Sequence, residues 1–231
     1  MGNTDQATTV KKTPPTVSSL ERRIQLVAYG IGCEIWFALG LLFVLQWFVA
    51  DKGNWQGLPE GLQAYVWYGV LYSTVVVDLL IHIKKFNRYI LAPALCEFLF
   101  FFGVLMPFPS IQSNYIAYPC LMAVLSIHKC VIYGYGALQA WNPDGKVDSP
   151  FLTKARFTWF LFLFPISVAL QVFLAYKTLP LVKGINDYYF YALIIGTSAY
   201  IPGFPVFMKN MLLERKLYLH RLYLERTKKS K

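Results

Sequence analysis

Residues 156–171 read Arg-Phe-Thr-Trp-Phe-Leu-Phe-Leu-Phe-Pro-Ile-Ser-Val-Ala-Leu-Gln, and the apolar run continues to Tyr176. A helix needs roughly 20 apolar residues to cross about 30 Å of hydrocarbon, so this stretch is long enough to span a bilayer. Pro165 lies in its interior, where it removes one backbone hydrogen bond and predicts a kink. No Asp or Glu occurs between Asp148 and Asp187.

The rest of the chain has the same character. Of its 231 residues 56% are hydrophobic, 17% aromatic and only 15% charged. Soluble domains are closer to 45–50% apolar and about 25% charged, so the composition indicates a polytopic membrane protein. Six spans are expected, at about Ile24–Ala50, Leu62–Ile83, Tyr89–Phe108, Tyr115–Leu138, Ala155–Tyr176 and Tyr188–Met208. The expected fold is therefore all-α, a six-helix transmembrane bundle. It divides into a polar N-terminal arm (1–23), the membrane domain (24–208) and a basic amphipathic tail (209–231).

Six spans put both termini on one side. If that side is the cytosol, 18 of the 22 Lys and Arg residues fall there, Lys52, Lys177 and Lys183 fall opposite, and Lys129 lies within the membrane. This asymmetry is what positive-inside orientation requires, so the net charge of +10 reports topology and anionic headgroups rather than nucleic acid. Membrane lipids are the expected partners of the tail. Cys33, Cys96, Cys120 and Cys130 all fall in apolar segments without metal-ligand spacing. They read as buried small hydrophobes, and neither a metal nor a cofactor is expected.

Residues 156–171 resemble the membrane 3-hydroxyacyl-CoA dehydratases, the protein-tyrosine-phosphatase-like A family. That family's pattern is Arg-Tyr-Thr-x-Phe-x-x-Leu-Tyr-Pro-x-Gly-x-x-x-Glu, and Arg156, Thr158, Phe160, Leu163 and Pro165 match it. Tyr200-Ile-Pro-Gly-Phe-Pro205 and Met211-Leu-Leu-Glu-Arg-Lys216 resemble its closing motifs. Cys96-Glu97-Phe-Leu-Phe100 resembles its Leu-Glu-x-x-His, with the His replaced by Phe100. In the fourth span the family's Trp-Ser-x-x-Glu-x-Ile-Arg-Tyr meets Leu125, Ser126, Lys129, Val131, Ile132 and Tyr133, so its Glu has become Lys129 and its Arg has become Ile132.

The resemblance implies a catalytic Tyr at position 164 and a catalytic Glu at position 171. Seven residues apart, they share one helix face two turns apart, which suits a β-elimination in which one group takes the α-proton and the other protonates the departing hydroxyl. This chain has Phe164 and Gln171 there. Phe has no hydroxyl and Gln has no titratable carboxylate. No catalytic residue is therefore expected at these positions. Glu34, Glu97, Lys129, Tyr133 and Arg156 are the candidates for a residual pocket, with Asp78 and His82 read as interfacial.

Two functional readings stay open. One is a catalytically silent homologue of the very-long-chain (3R)-3-hydroxyacyl-CoA dehydratases, acting as a binding or structural subunit beside other membrane subunits, with long-chain acyl-CoA as a ligand. The other is an active dehydratase (a lyase) of fatty acid elongation that uses relocated acid and base residues, with Glu97 and Tyr133 as candidates. A small transporter with Glu34, Glu97 and Lys129 as its polar path lacks the internal repeat that would support it. Lys228 and Lys229, fourth and third from the end, resemble a dilysine retrieval signal. The expected address is the endoplasmic reticulum membrane, with the mitochondrial inner membrane as the alternative. Depth adds one expectation. Glu97 and Lys129 both lie near the bilayer centre, so Lys129 should pair with Glu97, or failing that with Glu34.

Overall fold

A computed structural model describes residues 19–50, 58–80, 88–142, 147, 149–198 and 200–229. His82, Lys84, Lys85 and most of the arm at 1–23 lie outside the described residues. Among those described the chain is helical, without a strand. In order, α1 is Ser19–Leu45, α2 is Glu60–Leu71, α3 is Arg88–Phe100, α4 is Pro109–Asn114, α5 is Ala117–Trp141, α6 is Pro150–Lys183, α7 is Asp187–Ser198 and α8 is Tyr200–Lys229. The first three each run on into wider π-helical turns, at Gln46–Ala50, Tyr72–Leu80 and Phe101–Leu105.

Where the six expected spans are described they are helical, except at their edges at 106–108 and 115–116. Among the described residues four helical stretches are long and apolar enough to cross a membrane, namely Ser19–Phe48, Ala117–Trp141, Pro150–Lys183 and Asp187–His220. A shorter apolar helix covers Ala94–Leu105. The fifth expected span is longer than its apolar run suggested. Ser149 caps α6 by accepting from the Leu152 N–H at 3.3 Å, Pro150 occupies the first turn, and the helix continues through Pro165 and Pro180. The short α4, between the third and fourth expected spans, had no counterpart in the sequence reading. Its start is set by Pro109, and the Gln112 side chain donates to the Leu105 carbonyl at 2.7 Å.

The centre of the molecule is the contact of α1 with α5, and α5 packs in turn on α6. The inward stripe of α1 is Ala28, Gly32, Trp36, Leu39 and Phe43, at successive spacings of four, four, three and four. Phe43 meets the Tyr118 ring edge-on at 5.5 Å. Between membrane helices lipid competes with apolar side chains, so small residues that let backbones approach do much of the specifying. Gly32 is such a residue, because a Cβ there would stand 2.9 Å from Tyr133 Cδ2. Cys33 and Cys130 face each other across the same contact, each thiol donating to the other's backbone carbonyl at 3.6 and 3.5 Å.

This contact predicts opposite outcomes for two neighbouring glycines. Gly32→Ala should destabilise by about 1–3 kcal/mol, because the Tyr133 ring must move. Gly30→Ala meets nothing within 4 Å, so it should be neutral or gain up to about 1 kcal/mol of helix propensity. Thermal unfolding of both variants in detergent checks this, and equal stabilities would show that α1 does not seat on Tyr133.

Candidate functional site

Three of the expected residues come together. Lys129, midway along α5, is 6% exposed. Its ammonium donates to Asp78 Oδ2 at 2.6 Å and to Glu97 Oε2 at 2.7 Å. Asp78 comes from the π-helical turns after α2, and Glu97 from α3. Tyr133, one turn along α5 from Lys129, is fully buried and lies 5.7 Å from the ammonium, measured to its ring centroid. Its hydroxyl donates to the Ser73 carbonyl at 3.3 Å and sits beside the Asp78 carboxylate. The cluster thus sets two carboxyl groups against one ammonium. The second Glu97 oxygen, Oε1, is buried without a hydrogen-bond partner.

The expected Lys129–Glu97 pair is thus present, and Glu34 is not its substitute. Glu34 is exposed on the outer face of α1. Its position explains this. Glu34 is two residues from each of the inward Gly32 and Trp36, about 200° round the helix at 100° per residue. The larger correction is Asp78, which had been placed at the interface and is a buried partner of Lys129. Its signal was available in the run Ser73-Thr74-Val-Val-Val-Asp78, whose polar side chains interrupt an otherwise apolar span. Ser73 and Thr74 satisfy themselves by donating to the Val70 carbonyl at 2.9 and 2.7 Å, and Asp78 takes Lys129. The flexible four-carbon stem of lysine lets Lys129 reach a carboxylate that a depth count along one helix does not place beside it.

The two positions at which the resemblance implies a catalytic pair, 164 and 171, make other contacts. The Phe164 ring is parallel to that of Phe204 at 5.6 Å and lies 4.4 Å from that of Phe207, both on α8. Gln171 is buried, and its Oε1 accepts the Tyr200 hydroxyl at 2.6 Å. Arg156, in the second turn of α6, stacks its guanidinium 4.2 Å from the Tyr135 centroid. The neighbouring Phe157 stacks on Tyr218 of α8 at 4.6 Å. Two apolar concavities lie elsewhere. One, of about 330 Å³, is lined by Arg23, Val27 and Tyr72; the other, of about 320 Å³, by Trp36, Gly40, Ser126 and Trp159. Among the described residues no group of three His, Cys, Asp or Glu side chains converges to hold a metal ion.

Long apolar helices around a buried ion-pair cluster define an all-helical membrane protein. A family model described as "Protein tyrosine phosphatase-like protein, PTPLA" matches residues 95–221, more than half of the chain. The chain belongs to this family. Over 83 residues it is 35% identical to "Very-long-chain (3R)-3-hydroxyacyl-CoA dehydratase 1" of Ovis aries, covering 30% of this chain and 29% of that one. Over 127 residues it is 30% identical to "Very-long-chain (3R)-3-hydroxyacyl-CoA dehydratase PASTICCINO 2A" of Oryza sativa subsp. japonica, covering 49% and 56% respectively. The PASTICCINO 2 dehydratase of Arabidopsis thaliana is 25% identical over 134 residues, 58% of its length. The chain therefore spans between 29% and 58% of the length of these curated relatives. No solved structure matches it.

The cluster predicts strongly non-additive variants. Lys129→Leu should destabilise by about 3–5 kcal/mol, because it strands buried carboxylates. Adding Glu97→Leu should recover only part of this, since Asp78 remains, and adding Asp78→Leu as well should recover most of it. Unfolding in detergent measures the series. A harmless Lys129→Leu would mean that water already hydrates these groups.

Proposed function

We propose that this chain is a catalytically silent homologue of the very-long-chain 3-hydroxyacyl-CoA dehydratases and serves as a structural or binding subunit of a membrane complex. The observation that carries the reading is the state of positions 164 and 171. By the family resemblance these should hold a Tyr and a Glu that exchange protons with the substrate. Here Phe164 cannot exchange a proton and is stacked against α8, and the Gln171 carbonyl is held by Tyr200. One well-placed acid or base contributes about 10²–10⁴ in rate, so losing both leaves only positioning. The second reading, an active lyase with relocated residues, is favoured by one feature. Glu97 keeps a buried carboxylate oxygen without a partner, close to the buried Tyr133.

A turnover assay of the purified protein with a long-chain 3-hydroxyacyl-CoA separates the two. The silent reading expects a rate lower than an active family member's by at least about 10²-fold. Robust turnover that is abolished by Glu97→Gln establishes the relocated site instead. Long-chain acyl-CoA binding without turnover keeps the silent reading and makes the chain a ligand-holding subunit.

The same reading includes a six-span topology with both termini in the cytosol. The uneven placement of Lys and Arg supports it, since 18 of 22 fall on one side. Terminal tags should therefore be digested by protease added outside sealed microsomes, and a protected tag of either kind contradicts the topology. For the address, the ending Lys228-Lys229-Ser230-Lys231 supports the endoplasmic reticulum membrane. Changing Lys228 and Lys229 to Ser should let the protein leave that compartment. Finding the unaltered protein in mitochondria would reduce the ending to a basic anchor.

A further inference from the structure

The outer face of α1 carries a carboxylate that the fold does not use. Glu34 is the sixteenth of the 30 residues in the candidate span Ser19–Phe48, which places it at mid-depth. It is exposed, and no Lys, Arg or His of the described residues pairs with it. An ionisable side chain at the bilayer centre costs several kcal/mol unless it is paired or hydrated, so facing lipid is not a stable arrangement for it. Its surroundings are ordered. Val27, Ile31, Glu34, Ala38, Leu41 and Leu45 are all exposed, at successive spacings of four, three, four, three and four. That is the seam by which one helix packs along another, and it lies opposite the stripe that α1 gives to α5.

We infer that this face of α1 docks a transmembrane helix of another protein that carries a Lys or Arg at mid-depth, with Glu34 as the acidic half of the pair. Charge complementarity selects the occupant. A second copy of this chain would have to supply the base, and the base it holds at mid-span is Lys129, the thirteenth of the 25 residues of Ala117–Trp141. That ammonium is buried and already engaged by Asp78 and Glu97. The described bases of α6 lie toward its ends, none nearer the middle than Arg156, its seventh residue, and Lys177, seventh from its finish. The exposed Lys209 is the twenty-third of the 34 residues of Asp187–His220, past the midpoint of that span. Facing copies would bring Glu34 against Glu34. The proposal deepens the subunit reading above by naming the surface and the chemistry of the partner, and its readout does not depend on turnover.

The test co-reconstitutes the full-length chain, labelled with a donor fluorophore, with acceptor-labelled model helices in phosphatidylcholine vesicles. The helices are about 20 leucine and alanine residues long, with Lys, Leu or Glu at the central position. The Lys helix should associate about ten-fold more tightly than the Leu helix, the scale expected of a polar contact between membrane helices. Glu34→Gln should remove the difference, and Glu34→Lys should transfer the preference to the Glu helix. Lys129→Arg, which keeps the internal charge, should leave the preference unchanged. Equal association of the Lys and Leu helices overturns the proposal. So does Glu34-dependent association of the chain with itself, which would make the face a contact between copies. If turnover is robust but the Lys preference holds, the silent reading falls and this surface stands.

Discussion

A lysine held between two carboxylates in the middle of a membrane protein is stable only as a set. Removing ions from water costs several kcal/mol each, and the mutual attraction of Lys129, Asp78 and Glu97 offsets that cost only while all three stay together at 2.6 and 2.7 Å. The three come from three different stretches of chain, α5, the π-helical turns after α2, and α3. Their pairing therefore constrains how those stretches sit against one another. Apolar contacts do this poorly in a bilayer, because lipid tails satisfy leucine as well as another leucine does. The buried Tyr133 links the cluster to the second constraint, the seat of α1. Its hydroxyl bonds the Ser73 carbonyl, and its ring fills the space left by Gly32.

The helical fold was legible because the signal is long-range and redundant. Each expected span needed only a run of apolar residues, and its described residues are helical but for the edges at 106–108 and 115–116. Only four stretches among the described residues, however, are long and apolar enough to cross a membrane. The boundaries were less legible. The apolar run around Phe164 suggested a span over 155–176, whereas the helix covers Pro150–Lys183. Capping by Ser149 sets its start, and that cap lies outside the apolar run. The division of the first three helices into α and π turns has no counterpart in hydropathy, which counts residues and not their hydrogen-bond register.

The candidate site was half legible for a related reason. Depth along a helix identifies which ionisable residues share a level of the membrane, and it brought Glu97 and Lys129 together. It does not say which face of its helix a residue occupies. Glu34 shares the level but lies on the far side of α1. Asp78 was assigned to a shallower level, yet the length of the lysine side chain closes the gap. Face, not depth, separates the members of the cluster from the outlier. Face could be read in the sequence only by noticing that Gly32, Trp36, Leu39 and Phe43 form one stripe and Glu34 does not.

The charge pattern of α5 also bears on why a two-residue reversal at positions 164 and 171 is a severe demand on this chain. By the family resemblance, the fourth span carries a Glu at position 129 and an Arg at position 132. Here the base stands at Lys129, with Ile132 one turn away, so the cation has in effect moved one turn along the helix and the acid has gone. The cluster already sets the carboxyl groups of Asp78 and Glu97 against the single ammonium of Lys129. Tyr200, which bonds Gln171, lies within electrostatic reach of Glu97. A Glu at 171 would add a further carboxyl group on the Tyr200 hydroxyl, with the Lys129 ammonium already engaged by Asp78 and Glu97. Phe164→Tyr and Gln171→Glu restore the proton-carrying groups but not the charge balance in which such groups would have to work. A reversal would therefore call for changes at positions 129 and 132 as well. The neutral amide of Gln171 is the side chain that keeps the shape of that site while leaving the charge of the cluster unchanged.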